Sequence, residues 1–126
     1  MDTKPHRQAP SADTESAFEK ALREKADEAR QDLPRIVEQL KALGADLIVL
    51  FGSAARGEAT GFSDLDLLVR MPSDLPFVER LAEIYRRVRR NSDCDIFAYT
   101  PEEFERGNPI VRRALAEGKV LYDAQG

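Results

Sequence analysis

The chain has 126 residues, of which 42% are hydrophobic and 33% charged, with a formal net charge of −4. That length supports one folded core, and the acidic balance argues against general, charge-driven nucleic-acid binding. No run reaches the length of a membrane-spanning helix, the N-terminus lacks the apolar centre of a signal peptide, and one cysteine excludes an internal disulfide framework, so a soluble cytoplasmic protein with no membrane association is expected.

Residues 1–13 carry Pro5 and Pro10 among polar side chains and are expected to form a disordered arm, with His6 in it no candidate ligand. Residues 14–31 are rich in Glu, Lys, Arg and Ala, which favour helix. Their apolar stripe of Phe18, Leu22, Ala26 and Ala29 is thin, so this charged helix needs a surface to lean on. That surface could be its own domain, a second copy in a homo-oligomer, or another protein. Asp32-Leu33-Pro34 reads as a fresh helix start, with Asp32 as cap and proline in the first turn. Leu33, Ile36, Val37, Leu40 and Leu43 then repeat on one face until Gly44 stops the helix. The folded domain is therefore expected over 32–126.

A buried strand is predicted over 45–51, followed by a short helical turn at 53–56, a loop at 58–62 and a second strand over 64–70. Pro72-Ser73-Asp74 breaks that strand and caps a helix in which Phe77, Leu81, Ile84 and Val88 face the core. A third strand over 93–99 leads into Thr100-Pro101-Glu102-Glu103, a capping box with proline in the first turn. A last helix over 109–116 stops at Gly118, and Val120-Leu121-Tyr122 adds an edge strand. The order αβαβαβαα is an α/β (α+β) arrangement: a small mixed β-sheet with helices packed over it.

The chemistry concentrates between the first two strands. Gly52-Ser53-Ala54-Ala55-Arg56-Gly57 is a small-residue turn after an apolar run, and ten residues separate Ser53 from Asp64-Leu65-Asp66. In an extended chain Asp64 and Asp66 point to one face, an arrangement that suits hard divalent cations, which take oxygen ligands. Capping aspartates beside a turn are the bland alternative, but Asp66 lies inside Leu65-Asp66-Leu67-Leu68-Val69, an unfavourable place for a charge without a task. A third carboxylate belongs on a neighbouring strand. Asp95 fits, because Cys94-Asp95-Ile96-Phe97 repeats the pattern around Asp66, and Asp93 on the same strand face competes with it. Gly52 lets backbone approach phosphate, and Ser53 offers its hydroxyl and N–H. Arg56 either reaches a triphosphate or braces the loop, while Ser63 caps the turn before the candidate metal ligands.

Gly-Ser, ten residues, then Asp-x-Asp, with Arg56-Gly57 and Ser63 in place and a strand on each side, resembles the nucleotidyltransferases of the DNA polymerase β-like superfamily. Over roughly Leu33 to Tyr122 the short chain is most similar to the minimal nucleotidyltransferase (MNT) proteins. The resemblance implies metal binding and catalysis by Asp64, Asp66 and Asp95, with Asp95 accepting the substrate's hydroxyl proton. It implies nucleotide binding by Gly52, Ser53, Arg56 and Ser63, and a cofactor of two Mg²⁺ ions, or Mn²⁺. It further implies ATP or another NTP as substrate, and a HEPN-domain toxin as partner, which the MNT protein neutralises as antitoxin by adding AMP to a tyrosine.

Two other functions stay open: a non-catalytic module that neutralises its partner by contact, and a nucleotidyltransferase acting on a small molecule such as an aminoglycoside. Because the sequence has no room for a second acceptor-holding domain, the acceptor surface is expected to come from elsewhere. Arg86-Arg87-Val88-Arg89-Arg90 complements a helix C-terminus, yet four arginines exceed that need and leave open a docking surface for an acidic partner or RNA. Cys94 reads as a core residue.

Overall fold

The predicted break at Asp32 does not occur. In the computed structural model, which describes residues 16–57 and 64–126, one helix, α1, runs from Ala17 to Ala42. It starts with a capping box in which the Ser16 hydroxyl accepts from the Glu19 N–H and the Glu19 carboxylate accepts from the Ser16 N–H, each at 3.0 Å. Pro34 lies inside it, at the cost of a backbone hydrogen bond. Asp32 does cap backbone N–H groups, but those of a remote loop: its Oδ2 accepts from Asn91 N at 2.7 Å and Ser92 N at 3.0 Å. The sequence signal for a capping aspartate was sound, and its assignment to the local helix was wrong. The arm expected over 1–13 lies outside the described residues.

The helix gains its anchorage late. No residue from Ala17 to Glu28 is buried, whereas Ala29, Asp32, Ile36 and Leu40 are. Ile36 and Leu40 are fully buried, and truncating either to alanine costs about 2–5 kcal/mol. Gln39 adds a reciprocal pair of 2.7 Å hydrogen bonds to the backbone N–H and carbonyl of Arg89.

Four strands follow: β1 (Leu47–Phe51), β2 (Leu65–Arg70), β3 (Cys94–Tyr99) and β4 (Lys119–Asp123), in the spatial order β3-β2-β1-β4. β1 pairs antiparallel with β2 and β4, and β2 pairs parallel with β3. A parallel pair needs a crossover, supplied here by α2 (Phe77–Arg87). Its N-cap position is Pro76, so the capping role expected of Pro72-Ser73-Asp74 is not realised; the Ser73 hydroxyl instead accepts from Leu75 N in the preceding turn. Two short helices, α3 (Pro101–Arg106) and α4 (Pro109–Glu117), connect β3 to β4. Thr100 and Glu103 form the expected capping box, and Asn108 caps α4.

Alternation along the strands divides the core into two layers. Ile48, Leu67 and Ile96 face α1 and α2, while Val49, Phe51 and Leu68 face α3 and α4. Gly118, between α4 and β4, permits the close approach: a Cβ there would sit 2.4 Å from the Ala114 carbonyl oxygen and 2.6 Å from Val49 Cγ1. Arg80, 3% exposed, is a buried charge the sequence did not betray. Its Nη1 donates to Glu103 Oε1 and the Ala98 carbonyl, both at 2.8 Å, and this guanidinium holds the Glu103 carboxyl below the usual range. β3 is an edge strand whose outward Ile96 N–H would lack a partner. The Tyr85 hydroxyl on α2 accepts it at 2.7 Å.

Candidate active site

At the end of β1 the chain turns through Gly52, whose φ of +75° is a conformation glycine adopts freely. Its missing side chain matters as much as its dihedral: a Cβ would lie 2.3 Å from Asp66 Oδ2. Glycine at 52 therefore makes room for a carboxylate at 66. The next residues do not form the expected helical turn. Two tight turns replace it, with Arg56 N–H donating to the Ser53 carbonyl and Gly57 N–H to the Ala54 carbonyl, each at 3.1 Å. A phosphate here would meet turn amides rather than the end of a helix dipole. Ser63 lies outside the described residues.

Strand register brings the carboxylates together. Asp66 is paired with Phe51 of β1 on one side and stands directly opposite Asp95 of β3 on the other. The register thus sets Asp95, and not Asp93, beside Asp66. Asp93 works through its backbone: its carbonyl accepts from Asp64 N at 3.0 Å and from Leu65 N at 3.1 Å. Its own N–H donates to Asp64 Oδ2 at 3.1 Å. Asp64 is thereby held against the start of β3, and its Oδ1 lies 3.6 Å from Lys25 Nζ on α1. Among the described residues, no three His, Cys, Asp or Glu side chains converge tightly enough to enclose an ion. Asp66 and Asp95 share a register position, and Asp64 lies two residues before Asp66 with its carboxylate on the Asp93 N–H and beside Lys25.

The flanking cations are mostly engaged. Arg56 Nη1 lies 3.4 Å from Glu117 Oε1 on α4, and Arg113 Nε donates to the same oxygen at 3.2 Å. The Arg113 guanidinium also stands 5.9 Å from the centre of the Phe51 ring, next to Gly52. Sequence reasoning missed Arg113 and Lys25, since each sits in a helix full of charges and only the fold carries it to the turn or the carboxylates. The arginine run disperses: Arg86 and Arg87 pair with Glu83, and Arg90 donates to the Tyr85 and Val88 carbonyls at 3.2 Å. Cys94 is buried as expected, and burial, reinforced by nearby aspartates, pushes its thiol up to about 12, which leaves it inert at neutral pH.

Hard oxygen donors on adjacent strands, one of them the Asp66 carboxylate that Gly52 makes room for, fit a divalent cation at Asp66 and Asp95. Among the described residues, no helix is long and apolar enough to cross a membrane.

Comparison with known proteins shows what the chain is similar to. Residues 32–90 match the family model of the nucleotidyltransferase domain. A putative nucleotidyltransferase from Sulfolobus solfataricus, solved by crystallography, shares the fold at a TM-score of 0.58 and 18% identity, over 83% of this chain and 89% of that one. No curated protein matches the sequence. The matched segment and the shared fold make this chain similar to nucleotidyltransferase domains. Domains of this family generally use divalent metals.

Proposed function

We propose that the protein transfers AMP from ATP to a hydroxyl group, a tyrosine of a HEPN-type toxin partner, and so acts as an antitoxin. The supporting observation is the pairing of Asp66 with Asp95, with the Asp66 carboxylate packed against the turn at Gly52. AMP, tyrosine and toxin enter through the resemblance to minimal nucleotidyltransferases. In the transfer, the acceptor oxygen attacks the α-phosphorus, forming a new O–P bond. The bond from that phosphorus to the oxygen bridging the β-phosphate breaks, and pyrophosphate leaves in line. Asp95 takes the acceptor's proton, while Asp66 and Asp64 hold the cation side of the site. Turn amides around Gly52 and Ser53 grip the β- and γ-phosphates, with Arg56 and Arg113 as neighbouring positive charge. Bound Mg²⁺, or Mn²⁺, supplies charge neutralisation for the triphosphate and activation of the attacking oxygen.

A second reading, neutralisation by contact alone, is favoured by the first half of α1, where Phe18 is 71% exposed. The test incubates the protein with Mg²⁺, ATP and the protein encoded beside it, and reads intact mass. One AMP added to the neighbour, absent with the Asp64→Asn/Asp66→Asn double variant, is the expected result. An unmodified neighbour that binds wild type and variant equally would replace transfer with contact.

A further inference from the structure

Lys25 stands where the site needs positive charge. Four aspartates gather at one end of the sheet, Asp64 just before β2 and Asp66 within it, Asp93 just before β3 and Asp95 within it. Like charges at this density repel unless a cation joins them. Lys25 Nζ lies between two of them, 3.6 Å from Asp64 Oδ1 and 3.9 Å from Asp93 Oδ2. The ammonium reaches this place from the half of α1 that has no buried residue, and its own side chain remains 49% exposed. Asp64, in contrast, is only 13% exposed, so it is the more deeply held member of the pair.

We propose that Lys25 is the resident counter-charge of the carboxylate site: it occupies Asp64 until a divalent cation enters, and it thereby weakens the site's affinity for the metal alone. This rests on the nucleotidyltransferase reading of the site. A metal drawing on Asp64 must displace the ammonium, because two cations cannot share one carboxylate edge without repulsion. Displacement is cheap, since the helix segment carrying Lys25 has little packing to lose. Lys25 is a positioning residue here and touches no reacting atom.

The experiment measures Mn²⁺ binding to the full chain by electron paramagnetic resonance, without nucleotide and at low ionic strength. Wild type is compared with Lys25→Met, which keeps length and removes charge, and with Lys25→Arg, which keeps charge. The inference expects Lys25→Met to bind Mn²⁺ about two- to fivefold more tightly, the range of one exposed ion pair. Lys25→Arg stays near wild type, and the advantage of Lys25→Met shrinks as added salt screens the pair. Equal or weaker Mn²⁺ binding by Lys25→Met overturns the role of Lys25 while leaving the metal site standing. Absence of Mn²⁺ binding in every variant, each shown folded by circular dichroism, overturns the metal site and this inference with it.

Discussion

Asp32 and the Asp66–Asp95 pair show two treatments of the same side chain. Asp32 is buried, and its carboxylate accepts from Asn91 N, Ser92 N, Ser92 Oγ and Arg35 Nη2 at 2.7–3.0 Å. Asp66 and Asp95 instead face each other across two parallel strands, with Asp64 and Asp93 close in sequence. A buried carboxylate surrounded by donors ties segments together, because every lone pair it brings inside is used. Carboxylates gathered at a strand end cost electrostatic energy, which a cation repays. Removing the first kind should therefore cost stability, and removing the second should cost function while leaving stability alone.

The sharpest way to break this contrast is Asp66→Asn. Transfer should fall by at least about 10²-fold, the scale of losing one preorganised electrostatic group. The thermal midpoint should hold or rise, since one repelling charge is gone. Activity assays and calorimetry on one preparation check both halves, and a large fall in the midpoint would make Asp66 a structural residue like Asp32.

Asp32→Ala is the converse. Losing four hydrogen bonds to a buried carboxylate should cost about 3 kcal/mol. Burial alone would raise the pKa of Asp32, but the N–H groups of Asn91 and Ser92, the Ser92 hydroxyl and Arg35 outweigh it and lower the pKa from 3.8. A depressed folded value means that Asp32 contributes its stability above the unfolded value and loses it as pH falls through the folded one. Urea midpoints of wild type and variant should then differ at pH 7 and converge below 3.8. A constant gap down to the acid limit would show that the carboxylate's charge is not what stabilises the loop.

The contrast also shows what the sequence could reveal. Strands, the Thr100–Glu103 capping box and the Gly52-to-Asp66 spacing were legible because each signal is local, in apolar runs, turn chemistry and fixed spacing. The register that sets Asp95 opposite Asp66 fits the repeated pattern of a carboxylate before an apolar strand. Asp32 was misplaced because an aspartate before a proline gives the same local signal whether it caps its own helix or a loop 59 residues away. Arg80 and Lys25 were invisible for a related reason: their partners, Glu103 and Asp64, lie 23 and 39 positions further along, and charged helices offer many equivalent candidates. Tertiary pairing of charges leaves no periodicity to read.

Tyr85→Phe tests an intermediate case, a single polar group that serves the site without belonging to it. The Tyr85 hydroxyl accepts the N–H of Ile96, the residue after Asp95, on the open edge of the sheet. Its loss should cost about 1 kcal/mol, less than Asp32→Ala, because one neutral hydrogen bond is involved and water can reach an edge strand. The effect should be local. Hydrogen exchange at the Ile96 amide should accelerate in the variant, while the amides of β1, buried on both faces between β2 and β4, keep wild-type protection. If β3 holds Asp95 in register through the sheet alone, transfer activity stays within about twofold of wild type, a change smaller than the tenfold that 1.4 kcal/mol would give. A larger fall in activity with the same local exchange would mean that the helix-to-strand contact also positions Asp95, making the Tyr85 hydroxyl part of the scaffold that aims the carboxylate pair.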